Sequence, residues 1–135
     1  MAMAKKFESE VILLQVVTPV SRLVARMAPV APATTAQIGV EGAREQFEAE
    51  MRDAAQYLSS VAQRLEAEGI AARTHVVEGE TAETILKYAK EADISMICMS
   101  THGRSGLGRT ILGSVADEVL RNSHLPVLLI RPQPE

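Results

Sequence analysis

Short runs rich in aliphatic residues alternate with helical segments along this chain, and this alternation constrains the fold most. The clearest run is Val11–Val17 (VILLQVV), and further runs cover Ala71–Val77, Ile94–Met99 and Val127–Ile130. A strand that is apolar on both faces is typical of a parallel sheet with helices on both sides. Strands that alternate with helices also imply right-handed crossovers. The sequence therefore predicts an α/β fold, with one parallel sheet in a single domain over residues 1–135.

A long amphipathic helix is predicted over Glu41–Glu68, because apolar side chains recur there every three or four residues and form one stripe. The members of this stripe are Phe47, Met51, Ala54, Leu58, Val61 and Leu65. On its polar side we expect ion pairs between Glu48 and Arg52 and between Arg64 and Glu68. Gly69 follows as the expected end of the helix.

Shorter helices are predicted over Thr81–Ala92 and Ser114–Asn122. The segment Thr18–Val40 contains three of the six prolines together with many Ala and Thr residues. Such a composition predicts a long connection, and connections of this length are usually functional or mobile.

Composition excludes several classes of protein. The chain has 135 residues, a hydrophobic content of 47% and a net charge of −3, so it offers no basic face for nonspecific binding of nucleic acid. Its apolar runs are too short to cross a membrane. Cys98 is the single cysteine, which suits a reducing cytoplasm because no intrachain disulfide is possible. Its apolar neighbours predict a buried, inert thiol, with a redox role as the alternative.

A glycine-rich stretch lies between the third strand and the last helix. Gly103, Gly106, Gly108 and Gly113 precede a helix that begins near Ser114. Glycines let the backbone approach a ligand closely, and the free N–H groups of a helix start attract anions. The spacing is neither GxxxxGK[ST] nor GxGxxG, so neither a Walker loop nor a dinucleotide fingerprint is predicted. The alternatives are a phosphate cradle and a simple tight turn.

The same stretch resembles the universal stress protein family, whose signature is Gly-x2-Gly-x9-Gly-[Ser/Thr]. Gly103 and Gly113-Ser114 match it, Ser100 stands at the first glycine, and THGRSGLGR, LGSV and PVLLIRP are also similar to the family. The resemblance implies a Rossmann-like fold of the adenine nucleotide alpha hydrolase type, with sheet order 3-2-1-4-5. It also implies a cytoplasmic stress-response module that binds ATP, with Mg or Mn as the accompanying ion.

The resemblance further implies roles for individual residues. Those expected at the phosphates are Ser100, His102, Gly103, Gly113, Ser114 and Val115, with Arg104 as a further candidate. Val16 and Met99 would line the adenine and ribose pocket. Ser114 also fits a helix N-cap, with Asp117 completing a capping box. A Cβ at Ser100 would weaken the site if the backbone there needs a positive φ or a close contact.

No catalytic residue is assigned, because His102 lacks a carboxylate that would orient it, and ATP hydrolysis would at most be weak. No metal ligand is identified. By the resemblance, the chain lacks the family's first strand and most of its first helix, so we expect an N-terminal truncation, a closed sheet or a second copy in the gap. The resemblance also implies a homodimer through the Val127–Ile130 edge strand. The alternative function is a scaffold of the same fold that contacts proteins without binding a nucleotide.

Overall fold

The computed structural model of the chain describes residues 2–6, 8–22, 33–100 and 113–131. Side chains are described from residue 4 onward in the first of these ranges and from residue 40 onward in the third. His102, Gly103 and Arg104 lie outside these described residues, as does the C-terminal tail. Contacts divide the chain into two units, Met1–Glu80 and Thr81–Glu135.

The first unit pairs two parallel strands. Its elements are helix α1 (Ala2–Lys6), strand β1 (Val11–Val17), helix α2 (Ala33–Ala67) and strand β2 (Ala72–Glu78). Val11 lies opposite Ala72, and Val17 lies opposite Glu78. The parallel pairing confirms the prediction for these strands, and β1 has the predicted bounds.

Helix α2 begins at Ala33 rather than at Glu41, so the predicted connection is wrong for residues 33–40. The physical reason is that Pro32 directly precedes the helix, a place where a missing N–H is tolerated. The proline that suggests a loop is therefore compatible with a helix that begins at the next residue.

The predicted stripe of α2 packs onto β1 and β2. Its buried members are Ala43, Ala54, Leu58, Ala62 and Leu65. The helix ends where Gly69 has a φ of +78°, and the Ile70 N–H donates to the Leu65 carbonyl at 2.9 Å. Such a left-handed residue is the usual end of a helix.

The predicted ion pairs of α2 are wrong. Glu48 pairs with Arg44, one turn earlier, at 3.4 Å, and Glu68 pairs with Lys5 of α1 at 3.2 Å. Either neighbour of Glu48 satisfies the helical spacing, whereas the Lys5 contact depends on tertiary packing. These side chains are largely exposed, so each pair contributes little to stability.

The second unit also pairs two parallel strands. Its elements are helix α3 (Thr81–Glu91), strand β3 (Ile97–Ser100), helix α4 (Ser114–Asn122) and strand β4 (Val127–Ile130). Ile97 lies opposite Val127, and Ser100 lies opposite Ile130. Its core is formed by Ala82, Ala89, Ile97 and the fully buried Val119. The bounds of α4 and β4 are those predicted.

Strand β3 begins later than predicted. Asp93 has a φ of +51°, and the Ile94 N–H donates to the Ala89 carbonyl at 3.1 Å. Ile94 therefore closes the end of α3 and only its side chain contributes to the core.

The expectation of a buried thiol at Cys98 is wrong, because the side chain is exposed. Ile97 and Met99 face the core, while Cys98 and Ser100 alternate to the other side. Ile130 in β4 is likewise 53% exposed. Successive side chains of a strand point to opposite faces, and the described helices of this unit cover one face of the β3–β4 pair.

Candidate functional site

The start of helix α4 has no side-chain cap. Gly113 occupies the N-cap position with φ −60° and ψ 148°, and Ser114 is the first helical residue. The Gly113 carbonyl accepts the Asp117 N–H at 2.9 Å. The prediction of Ser114 as the N-cap is therefore wrong by one position. The first N–H groups of a helix lack acceptors within the helix and carry partial positive charge, so this terminus presents donors to a ligand or to water.

Asp117 does not complete a capping box. Its carboxylate accepts a hydrogen bond from the Nε of Arg121 at 2.8 Å, four residues further along the helix. This hydrogen bond, together with the carboxylate's charge, raises the pKa of the Arg121 guanidinium above its usual value. Because Asp117 is directed along the helix toward Arg121, its carboxylate does not occupy the N–H groups of the helix start.

The carboxyl end of β3 belongs to the same unit as this helix start. Met99 is half-buried, and it packs with Val115 against the core cluster of Ala82, Ala89, Ile97 and Val119. The structure therefore brings two predicted regions together around one core: the end of β3, with Met99 and Ser100, and the first turn of α4, with Ser114 and Val115.

Ser100 has an extended backbone. It is the last residue of β3 and is exposed, and the described residues with positive φ other than glycine are Glu8 and Asp93. A residue in extended backbone needs no glycine. A Cβ at Ser100 would weaken the site if the backbone there needed a positive φ or a close contact, and the first of these two conditions is not met.

Val16 lies in the first unit, near the carboxyl end of β1. It is half-buried and stands opposite Val77. Just beyond the strand ends, the Arg22 Nε lies 2.8 Å from a Glu80 carboxylate oxygen. Sequence reasoning missed this pair, because the two residues are far apart in the chain. The signal that could have found it is that both residues follow parallel strands.

A groove of about 420 Å³ lies elsewhere in the first unit, between α2 and β2. Its lining includes Ser59, Gln63 and Glu66 from the helix and Thr74 and His75 from the strand. No residue predicted for the site is part of it. The groove lies at the amino half of β2, whereas open α/β sheets bind ligands at the carboxyl ends of their strands.

No metal centre is formed by the part of the chain that the structure describes, since no three His, Cys, Asp or Glu side chains gather there. His75 and His124 are both exposed. Among the described helices, none has the length and apolar character that a membrane crossing requires.

The chain is similar in sequence to proteins named universal stress proteins. It is 38% identical over 74 residues to universal stress protein MJ0531 of Methanocaldococcus jannaschii, a match that covers 55% of the chain and 44% of that relative. It is 30% identical over 98 residues to universal stress protein MJ0577 of the same archaeon, covering 69% and 60%. The chain thus spans about half the length of the curated relatives it matches.

Solved structures share the fold. The structure of MJ0577 superposes with a TM-score of 0.75 at 25% identity, covering 99% of this chain and 86% of that one. A universal stress protein from Archaeoglobus fulgidus in complex with dAMP has a TM-score of 0.58 at 18% identity, covering 96% and 79%. A universal stress protein in complex with cAMP has a TM-score of 0.52 at 16% identity, with the same coverage.

These likenesses confirm the predicted α/β fold. The model of the universal stress protein family matches residues 1–131, which is nearly the whole chain. The glycine signature, the parallel strand pairs and the solved neighbours agree with that match. The chain belongs to the universal stress protein family.

Proposed function

We propose that this chain is a regulatory module that binds an adenine nucleotide, with the phosphates at the start of α4. The observation that carries the proposal is the uncapped helix terminus. Gly113 brings no side chain to the N-cap position, and Asp117 is engaged by Arg121. A terminus that offers several N–H donors and a partial positive charge is suited to a phosphate.

Each remaining residue has a proposed role. The N–H groups of Ser114 and Val115 would hold phosphate oxygens, together with His102, Gly103 and Arg104 from the preceding stretch. Ser100 would border this phosphate site from the end of β3. Val16 and Met99 would line the adenine and ribose pocket. The adenine class of ligand is supported by the related proteins that are bound to dAMP and cAMP.

The proposed nucleotide would bring its own Mg or Mn ion. The described residues form no protein metal centre, but the exposed Ser114 hydroxyl stands at the first helical position. Hydroxyl and phosphate oxygens are the donors that such hard cations prefer. We propose no catalytic activity for the module. We do propose that it is located in the cytoplasm.

The test is a calorimetric titration with ATP and AMP of the Gly113→Val variant. The backbone is extended at Gly113, so valine does not strain the backbone there, and its side chain would crowd the phosphate. Loss of one or more charge-assisted hydrogen bonds is worth roughly 1.5–3 kcal/mol, so we expect at least about tenfold weaker binding. Gly42→Val is the matched control, since a Cβ there meets no atom within 4 Å. Equal affinities for the two variants would remove this site.

We also propose that the module forms a homodimer through β4. The Ile97 N–H donates to the Pro126 carbonyl at 3.0 Å, so the ladder alternation points the backbone groups of Val127 and Leu129 away from β3. An apolar edge of this kind attracts another strand. Leu129→Pro should remove the dimer seen by light scattering and preserve the β3 ladder, because the lost N–H does not face β3. An undiminished dimer would contradict this interface.

The second candidate is a scaffold of the same fold that acts through protein contacts. It is favoured by apolar side chains on the exposed side of the β3–β4 pair and just before it. They are Met96, 39% exposed, Leu128, 37%, and Ile130, 53%. Titration separates the two candidates, because a scaffold produces no saturable heat with ATP, ADP or AMP.

A further inference from the structure

The groove between α2 and β2 lies along the edge of a strand. Both of its walls belong to the unit Met1–Glu80. Its volume is about 420 Å³, and its lining includes four consecutive residues of β2, at positions 72–75. Successive side chains of a strand point to opposite faces, so a groove over one face is lined by alternate residues. Four lining residues in a row therefore indicate that the groove follows the strand edge, where the backbone is accessible.

The backbone at this edge carries hydrogen-bonding groups that β1 does not use. The Val11 N–H donates to the Ala71 carbonyl at 2.8 Å, and alternate residues of a parallel ladder turn both backbone groups toward the same neighbour. Ala71 therefore faces β1, whereas Ala72 and Thr74 turn their N–H and C=O groups to the opposite side. Among the described residues, none bonds to these outward groups. Such a row of groups is a template for an added strand.

Polar side chains of α2 form the other wall of the groove. Ser59, Gln63 and Glu66 recur every three or four residues, so they lie on one side of the helix. Ala62 also lines the groove and is buried, which adds an apolar surface between them. The helix wall thus combines hydrogen-bonding groups, a carboxylate and a small apolar contact.

The charge of the groove comes from Glu66, which is exposed. Among the described residues, none forms an ion pair or a hydrogen bond with its carboxylate. Arg73 also lines the groove, but it is paired with Glu10, so its positive charge is already compensated. A cationic side chain is therefore the chemical complement of the helix wall.

We propose that the edge of β2 binds an extended peptide segment of another protein, and that this segment carries a lysine or arginine side chain. The segment adds as a strand beside β2 and bonds to the outward backbone groups of Ala72 and Thr74. Alternate side chains of the segment lie toward α2. The cationic one meets Glu66 there, and its aliphatic stem contacts Ala62. The inference does not rest on nucleotide binding and concerns a different part of the chain.

The strand edge favours an extended peptide over the other occupants. A small amine would use Glu66 and leave the backbone groups of β2 unsatisfied, and an exposed ion pair contributes little by itself. A second copy of β2 is disfavoured because β2 carries the exposed charges of Arg73 and Glu78, and charges on an edge oppose self-association. Backbone hydrogen bonds provide affinity in strand addition, and the pockets for alternate side chains provide specificity.

The specificity is tested by fluorescence anisotropy with two labelled peptides at about pH 8, where histidine side chains are uncharged. In both peptides threonine and valine alternate around a central residue, which is lysine in one and glutamate in the other. We expect the glutamate peptide to bind the wild type about fivefold more weakly. Glu66→Gln should remove this preference. Glu68→Gln is the matched control, because it removes the same charge from a residue that pairs with Lys5 outside the groove, and the preference should persist.

The added strand is tested by Thr74→Pro. Proline removes the outward N–H in the groove and leaves the β1–β2 ladder intact, because this N–H does not face β1. We expect loss of binding for both peptides with an unchanged circular dichroism spectrum. Thr74→Ala is the control, since it keeps the N–H and should bind as the wild type does. In NMR titrations of the wild type, the Ala72 and Thr74 amides should shift more than the Arg73 amide, which is bonded to β1.

Four results would overturn the proposal. They are no saturable binding of the lysine peptide to the wild type, equal affinity for the two peptides, a preference that survives in Glu66→Gln, and unshifted Ala72 and Thr74 amides. Competition by N-acetyl-lysine amide at the concentration of the peptide would assign the groove to a small amine and would overturn the proposal equally.

Discussion

One glycine inside helix α2 and one just beyond its end allow the same substitution to be tested in two backbone conformations. Gly42 lies inside the helix, which runs from Ala33 to Ala67, and a Cβ built there meets no atom within 4 Å. Alanine in a helix interior is more stable than glycine by roughly 0.5–1 kcal/mol. Gly42→Ala should therefore stabilise the protein by about that amount and raise its Tm by roughly 2–5 °C.

Gly69 should respond with the opposite sign. A Cβ there also meets no atom within 4 Å, but its φ is +78°. Alanine in left-handed backbone costs roughly 1–2 kcal/mol, and the smaller entropy of the unfolded chain returns roughly 0.4–1 kcal/mol of this. Gly69→Ala should therefore destabilise the protein by up to about 1.6 kcal/mol, with a central value of roughly 0.8 kcal/mol. Contacts are equally absent at both sites, so backbone conformation alone decides the sign.

Urea denaturation followed by far-UV circular dichroism measures both variants, with the midpoints compared at an unchanged slope. A shift of the same sign in both would refute the reasoning. The Gly42 result also tests where the helix begins. If α2 started at Glu41, Gly42 would lie in its first turn, where glycine is better tolerated, and Gly42→Ala would leave the midpoint nearly unchanged.

Further predictions concern the core and the surface. Val119→Ala should lower the free energy of unfolding by about 2–3 kcal/mol, because removal of part of this fully buried side chain leaves a cavity. Leu120→Ala should lower it by less than about 1 kcal/mol, because the Leu120 side chain is 46% exposed. Cys98 should react with a thiol reagent without denaturant, and slow reaction would contradict its exposure. Removing the exposed Arg22–Glu80 ion pair should change the unfolding free energy by less than about 1 kcal/mol.

Local pattern was sufficient for most elements of the fold. The bounds of β1 and β4 follow from uninterrupted aliphatic runs, and those of α4 from its helical periodicity between a glycine and a turn. The stripe of α2 was readable for the same reason, since periods of two and of nearly four residues differ clearly. The glycine signature around Gly103 and Gly113 identified the family, because the spacing of glycines is itself written in the chain.

Patterns were misleading where two local solutions have nearly equal energy. Glu48 can pair with Arg44 or Arg52 by the same helical spacing, and sequence cannot choose between them. Helix α2 was predicted too short because the prolines before it favour a loop locally, whereas proline is also compatible with the position just before a helix.

The features of the candidate site also divide into those that the sequence determines and those that the tertiary structure determines. Its residue types, Gly113, Ser114 and the Ser100 substitution, were determined by the sequence by itself. Which residue caps α4, the extended backbone of Ser100 and the exposure of Cys98 were decided only by tertiary structure. The physical reason is that the faces of a short strand, and the entry of the chain into a helix, depend on what packs against them. The sequence specifies which side chains are present, but whether each one is buried depends on the residues that pack against it in the folded structure.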